Sequence, residues 1–477
     1  MRVKEEPPGA PDIIFILIDD LGWKDLTCYG STFYETPQID RLAAEGALLT
    51  DAYAAAPVCS PTRASLLTGK YPATLGITDW IGGHSQGRLM AAPYLDHLPR
   101  RETTIATALR QGGYRTWHVG KWHLGDTDTW PEHHGFDINI GGCGWGSPRQ
   151  GHFAPWGLPN LSEGEPGSYL ADRLTDEAIC LLQRPHTQPY FLNLCYYAVH
   201  TPIQAPQNLI DKYRHKARAM GLDTLPTFQE GEYFPCAHKK NERVRRRLLQ
   251  SEPVYAAMIE NLDSNIGRLL QALATSGRAD NTLVIFTSDN GGLSTAEGSP
   301  TCNAPLSQGK GWMYEGGTRV PFIIRWPKMI SSGIRCTQPI SSPDIFPTLL
   351  DAAGKATHLS SEIEGLSLMP LLLDQPWSDR PLFWHYPHYS NQGGTPACSI
   401  RQGDWKLIEF FETQTLELYH LREDMTESRN VAAENPAVTH ALHELLQAWR
   451  LTSGAVIPQP NCDWRPARPP HLDGPEA

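Results

Sequence analysis

Two uninterrupted apolar runs restrict what this chain can fold into. Asp12–Ile18 reads Asp-Ile-Ile-Phe-Ile-Leu-Ile, and Thr282–Ser288 reads Thr-Leu-Val-Ile-Phe-Thr-Ser. Neither alternates polar with apolar, so each predicts a strand covered on both faces, as in a mostly parallel sheet between helical layers. Both runs stop at an acidic step, Asp19-Asp20 and Asp289-Asn290. Ligands of open α/β sheets bind beyond the carboxyl ends of the strands. These two steps are therefore the first places to look for chemistry.

The rest of the pattern agrees. Thr36-Pro37, followed by Ile39, Leu42, Ala43 and Ala47, predicts a helix with proline in its first turn. Residues 103–111, 169–182, 254–273 and 344–353 predict further helices, and 114–119, 189–197 and 320–325 predict strands. Alternating strands and helices predict an α/β fold: a large mixed, mostly parallel sheet flanked by helices. After residue 376 the texture changes. Short strands at 382–386, 397–401, 405–411 and 417–419, then a helix at 436–450, predict a small C-terminal α+β subdomain on a short antiparallel sheet. The expected division is a catalytic domain at 1–375, the subdomain lining its pocket at 376–455, and a proline-rich tail at 456–477.

The formal net charge of -11 argues against a nucleic-acid partner, which wants a basic face. No stretch approaches the roughly eighteen apolar residues of a membrane span. The start, Met-Arg-Val-Lys-Glu-Glu-Pro-Pro, has no apolar signal region. This predicts a cytoplasmic chain as written, or a periplasmic or secreted one whose leader has been removed. The ten cysteines form no Cys-x-x-Cys pair and no zinc-spaced set, so most read as reduced, buried thiols.

Three carboxylates and one amide carbonyl at two strand ends make an oxygen-only donor set. Such a set suits Ca²⁺, or less well Mg²⁺, and not zinc. A second site candidate is Cys59, in Pro57-Val-Cys-Ser-Pro-Thr-Arg-Ala-Ser-Leu-Leu-Thr-Gly69. Pro61 fits a helix's first turn, which puts Cys59 just before a helix N-terminus and Arg63 one turn along. The dipole and the cation are both expected to lower a thiol pKa. A nucleophilic cysteine and an inert buried one are both open at this point.

The run from Cys59 to Gly69 resembles the C-x-P-x-R signature of type I sulfatases, the formylglycine-dependent, arylsulfatase A-like family. Gly113-Tyr-Arg-Thr-Trp-His-Val-Gly-Lys-Trp-His-Leu-Gly125 is similar to that family's second signature. The resemblance runs from Ile14 to about Pro327, and more weakly through the C-terminal part. It implies an alkaline-phosphatase-like fold and conversion of Cys59 to Cα-formylglycine. A formylglycine-generating or radical sulfatase-maturating enzyme would carry out that conversion. It further implies that one hydroxyl of the hydrated aldehyde attacks sulfur while the alcohol leaves. Loss of the second hydroxyl's proton then re-forms the carbonyl and expels sulfate. By the same resemblance Asp19, Asp20, Asp289 and Asn290, with the modified Cys59, ligate the cation. Arg63 holds the gem-diol, Lys121 and Lys310 bind sulfate oxygens, His123 takes the second hydroxyl's proton, and His200 protonates the leaving alcohol.

Trp80, His84, Trp145, His388 and Arg401 are the candidates for substrate contact, because rings suit a sugar face and His or Arg suits hydroxyls and carboxylates. The stretch from Gly291 to Leu306, leading to Lys310, is similar to bacterial carbohydrate sulfatases acting on sulfated galactose or N-acetylgalactosamine. The expected substrate is accordingly a sulfated saccharide cut at a terminal position, with aryl sulfates as artificial substrates. Three other readings stand beside it: a phosphonate or phosphate ester hydrolase of the same superfamily, a non-catalytic sulfated-glycan-binding protein, and a cysteine hydrolase pairing an unmodified Cys59 thiolate with His123.

Overall fold

The computed structural model describes residues 9–356 and 362–466. The strands β1 (Asp12–Ile18), β2 (Ala47–Tyr53), β3 (Arg115–Gly120), β4 (Ile138–Ile140) and β5 (Tyr190–Cys195) come first. β6 (Phe228–Tyr233) and β7 (Arg243–Arg247) pair only with each other. β8 (Thr282–Ser288), β9 (Arg319–Arg325), β10 (Ile334–Cys336) and β11 (Ile340–Ser341) complete a nine-stranded sheet ordered β10-β2-β9-β8-β1-β5-β3-β4, with β11 also on β2. β9 runs antiparallel to β2 and β8. The other pairings in this sheet are parallel.

The central position of β1 explains its composition. Ile14, Ile16 and Ile18 enter one core, with the helices Pro37–Ala44, Leu170–Gln183 and Pro253–Thr275. Ile13, Phe15 and Leu17 enter the other, with the helices Cys59–Thr68, Ile105–Gln111 and Ile345–Ala352. Because side chains alternate faces along a strand, a strand buried twice must be apolar at every position. β1 and β8 lie side by side with Ile18 opposite Ser288, which brings the two acidic steps together at one sheet edge.

At the first helix the boundary differs from the sequence expectation. The first helix stops at Ala44, and Ala47 opens β2 instead of extending the helical stripe. Gly46 makes this turn possible: a Cβ there would lie 2.3 Å from the Ile324 carbonyl oxygen. Of the tail expected at 456–477, residues 467–477 lie outside the described residues. The start of the chain, on which the absence of a signal region was read, also lies outside them through residue 8. Among the described residues, no helix is long and apolar enough to cross a membrane.

β12 (Leu382–Tyr386), β13 (Ala397–Gln402), β14 (Trp405–Phe410) and β15 (Thr415–His420) form a four-stranded antiparallel sheet. Leu442 and Leu446 of the helix Pro436–Ser453 pack on one side of it. Trp384, Tyr386 and Ile408 pack on the other, against Tyr53 and Val58 of the large domain. A buried ionic seam reinforces this junction. Lys406 Nζ donates to Glu315 Oε1 and Glu427 Oε1, both at 2.9 Å. Arg401 donates to Asp51 Oδ2 at 2.9 Å and to the Tyr53 hydroxyl. Burial pushes both glutamates up. Lys406, Arg319 and Arg401 overcome this at Glu315, held at about 2, whereas Glu427, with Glu315 beside it, stays up at about 7.

Candidate active site

The helix Cys59–Thr68 begins with Cys59 itself, with Val58 as its extended N-cap, one residue earlier than expected. All ten residues of this helix are buried. The Thr62 hydroxyl bridges the backbone of Ala56 in both directions at 3.1 Å, which fixes the entry to the helix. Arg63 is anchored on the second acidic step. Its Nε and a terminal nitrogen both sit 2.8 Å from Asp289 Oδ2, and its other terminal nitrogen donates to the Lys121 carbonyl at 3.0 Å. The thiol pKa therefore moves opposite to the sequence expectation. Burial raises it, more than Lys121 and Lys310 lower it. An unmodified Cys59 is thus a poor thiolate, which weighs against the cysteine-hydrolase reading.

The acidic steps meet as the strand register demands. The Asp20 amide donates to Asp289 Oδ1 at 3.2 Å, and Asn290 Nδ2 donates to Asp20 Oδ1 at 2.8 Å. Each carboxylate has a cation against it: Lys121 on Asp19 at 2.6 Å, Lys310 on Asp20 at 2.7 Å, and Arg63 on Asp289. Burial pushes Asp19 up despite Lys121, whereas at Asp20 burial is outweighed by Lys310, His200 and Lys121. Asp19 Oδ1 and Asn290 Oδ1 are buried without a hydrogen-bond partner. Bare buried acceptors are costly and uncommon. Two of them beside a carboxylate cluster fit a hard cation. Asp19, Asp20 and His200 present ligand atoms within 4.8 Å of one another. Asp20 (φ 63°) and His123 (φ 57°) both hold left-handed backbone, a strain that accumulates at functional sites.

The two histidines are oriented differently. His123 Nε2 lies 3.2 Å from the Ile81 carbonyl, so it carries the proton, and Nδ1 is left as an acceptor 3.3 Å from Cys59 Sγ. Burial, then Lys121 and Arg63, hold this imidazole well below its usual pKa. Gly146 leaves room for the ring, since a Cβ there would lie 2.5 Å from its Cε1. His200 Nδ1 donates to the Thr201 carbonyl at 2.8 Å, which aims Nε2 at Asp20 Oδ2, 3.6 Å away. Burial, then Lys310, lower it to about 3, and Asp20 opposes them.

Cys59, His123, His200 and Lys310 open onto a cleft of about 360 Å³, near the low end for small-ligand sites. Trp80 lines it, as expected, but the other residues chosen for substrate contact sit elsewhere. His84 is exposed, its ring against Tyr94. His388 is buried behind the Trp80 loop, bonded to the Thr78 hydroxyl at 2.8 Å. Arg401 is spent in the seam to Asp51. Trp145 backs the wall, with the Arg149 guanidinium 4.7 Å above its ring centre. The sequence reading missed Arg149, Glu297, Asn391 and Gln392, which do line the cleft. The one signal for Arg149 was its position four residues after Trp145 in a glycine-rich loop.

Residues 11–355 match the sulfatase family model, and residues 308–452 match that of the C-terminal part of N-sulphoglucosamine sulphohydrolase. The N-acetylgalactosamine-6-sulfatase of Canis lupus familiaris is 30% identical over 458 residues, covering 92% of this chain and 78% of the relative. The crystal structure of Ps i-CgsB in complex with k-i-k-neocarrahexaose is 29% identical, with a TM-score of 0.72 over 92% of each chain. The phosphonate monoester hydrolase of Agrobacterium radiobacter, 23% identical with a TM-score of 0.65 over 93% of this chain and 96% of that one, shares the fold. With two long signatures, a mixed sheet that joins the acidic steps, and a family match over most of its length, this chain belongs to the sulfatase family and is a sulfuric ester hydrolase.

Proposed function

We propose that this sulfatase removes sulfate from a terminal unit of a sulfated saccharide, with Cys59 carried as formylglycine and a divalent cation, Ca²⁺ in preference to Mg²⁺, held by Asp19, Asp20, Asp289 and Asn290. The observation that carries the reading is the meeting of three paired carboxylates, two bare oxygens and Cys59 at the floor of one cleft. The carbohydrate class rests on the relatives, which include an N-acetylgalactosamine-6-sulfatase and a structure holding a neocarrahexaose. A maturation enzyme would oxidise Cys59.

A hydrated aldehyde at position 59 would supply two hydroxyls on one carbon, a nucleophile toward sulfur and an exit route for sulfate. A cation held by Asp19, Asp20, Asp289 and Asn290 would supply Lewis acidity toward the sulfate and the attacking hydroxyl. The protein's own residues do the rest. Arg63 fixes the Asp289 carboxylate at the base of the site. Lys121 and Lys310 supply the positive charge that a sulfate needs in a protein of net charge -11. His123, with Nδ1 bare and facing position 59, accepts the second hydroxyl's proton. His200 delivers a proton to the leaving oxygen, and an anionic ester beside it favours its charged form.

Two outcomes test this. Exhaustive chelation lowers activity, and Ca²⁺ restores it while raising the thermal midpoint of the chelated protein. Unchanged activity and midpoint in a protein shown by elemental analysis to be metal-free would remove the cation from the reading. His200→Ala lowers kcat/KM about 100-fold on an alkyl sulfate but much less on 4-nitrophenyl sulfate, whose leaving group needs no proton. Equal losses on both would end its assignment as acid. A panel of sulfated sugars beside an aryl phosphonate separates this reading from its superfamily rival, which predicts faster phosphonate turnover.

A further inference from the structure

Resting on that reading, the structure assigns Arg149 as an anion subsite: we propose that the preferred saccharide carries a second anionic group beyond the ester that is cut. Arg149 lines the same cleft as Cys59, His200 and Lys310. Its guanidinium lies over the Trp145 ring at 4.7 Å from the centroid, so it is held on a platform by a cation–π contact. Among the described residues, no carboxylate lies within ion-pair distance of it, whereas Arg63, Lys121 and Lys310 at the floor are each already paired. An exposed arginine ordered by an aromatic face and left without a counter-charge is suited to a planar carboxylate or a sulfate, which it binds with parallel N–H donors.

The cleft is polarised as well as charged. Glu297 also lines it, accepting from Gln392 Nε2 at 3.1 Å, and its backbone is left-handed at φ 53°. A carboxylate held there repels a second anion, while Gln392 and Asn391 offer hydroxyl partners. A substrate anion is thus turned toward Arg149 and its uncharged hydroxyls toward Glu297. Trp145 touches the substrate only through Arg149 and is a positioning residue.

The test uses the converted, metal-loaded enzyme and four probes. They are 4-nitrophenyl sulfate, galactose 6-sulfate, N-acetylgalactosamine 4,6-disulfate and a 6-sulfated chondroitin disaccharide with its uronate carboxylate. The wild-type enzyme is expected to favour the disulfate or the uronate disaccharide over galactose 6-sulfate. Arg149→Gln is expected to raise KM for the favoured probe about tenfold. Its kcat stays within about twofold, and turnover of the singly charged 4-nitrophenyl sulfate is unchanged. Which doubly charged probe responds identifies the second group as sulfate or carboxylate. Trp145→Leu is expected to give a smaller KM increase on the same probe alone. A wild-type enzyme without preference for a second charge overturns the inference and leaves the sulfatase reading intact. So does an Arg149→Gln variant that changes all probes alike, or none. Failure of the converted wild-type enzyme to release sulfate from any probe overturns both.

Discussion

Replacing Cys59 with alanine is expected to abolish sulfate release, with turnover falling by about 10⁴-fold or more while the fold persists. The residue starts a fully buried helix, and its sulfur makes a hydrogen-bond contact with His123 Nδ1 at 3.3 Å. Removing one sulfur from such a place costs about 1 kcal/mol, too little to unfold a domain with two large cores. The function lost is far larger, because no other side chain at the cleft floor can be both attacking group and exit route. Lys121 and Lys310 are tied to Asp19 and Asp20. Residual activity is to be measured beside circular dichroism and the intact mass of the peptide containing position 59. Near-native turnover in a folded variant would remove Cys59 from the mechanism.

The second large effect is on stability. Lys406→Ala is expected to cost about 3–5 kcal/mol, because it leaves two buried carboxyls facing each other without their shared cation. Glu315 and Glu427 are both completely enclosed, and Glu427 Oε2 also accepts from the Glu315 amide at 2.7 Å, so neither can swing into solvent. Adding Glu427→Gln to Lys406→Ala is expected to recover part of the loss, since Glu315 keeps Arg319 at 3.2 Å and the substitution removes the carboxyl left without a cation. Chemical denaturation gives the number. A single variant within about 1 kcal/mol of wild type would show that the seam relaxes or hydrates when cut.

How far the sequence foretold this molecule depended on which force made each element. β1 and β8 were legible to the residue, because burial on both faces leaves a continuous apolar run. β2 was not, because Thr50 and Asp51 interrupt it. Asp51 is tolerated there only because Arg319 and Arg401 come from distant segments to pair with it. The hairpin β6–β7 was hidden for a similar reason. Its arginines stack on rings, Arg245 and Arg247 lying 4.4 and 4.7 Å from the Phe228 ring centre, and no hydrophobic period records that. The floor of the site was readable because its chemistry needs particular residue types at strand ends. Its walls were not. Arg401 and His388 looked like ligand-binding groups, but tertiary packing used one as a tie between sheets and the other as a loop support. Arg149 became visible only once Trp145 was beneath it.

The burial of every residue from Cys59 to Thr68 sets an order of events in the life of the chain. In the folded molecule none of these ten helical residues is exposed to the catalytic centre of another protein. Under the proposed conversion, an enzyme that oxidises position 59 would have to arrive while this segment is still loose, during or soon after synthesis. On that proposal a molecule that folds first would be locked out of conversion, and the active fraction of a preparation would be decided by a race between two rates and not by the amount of oxidising partner added later.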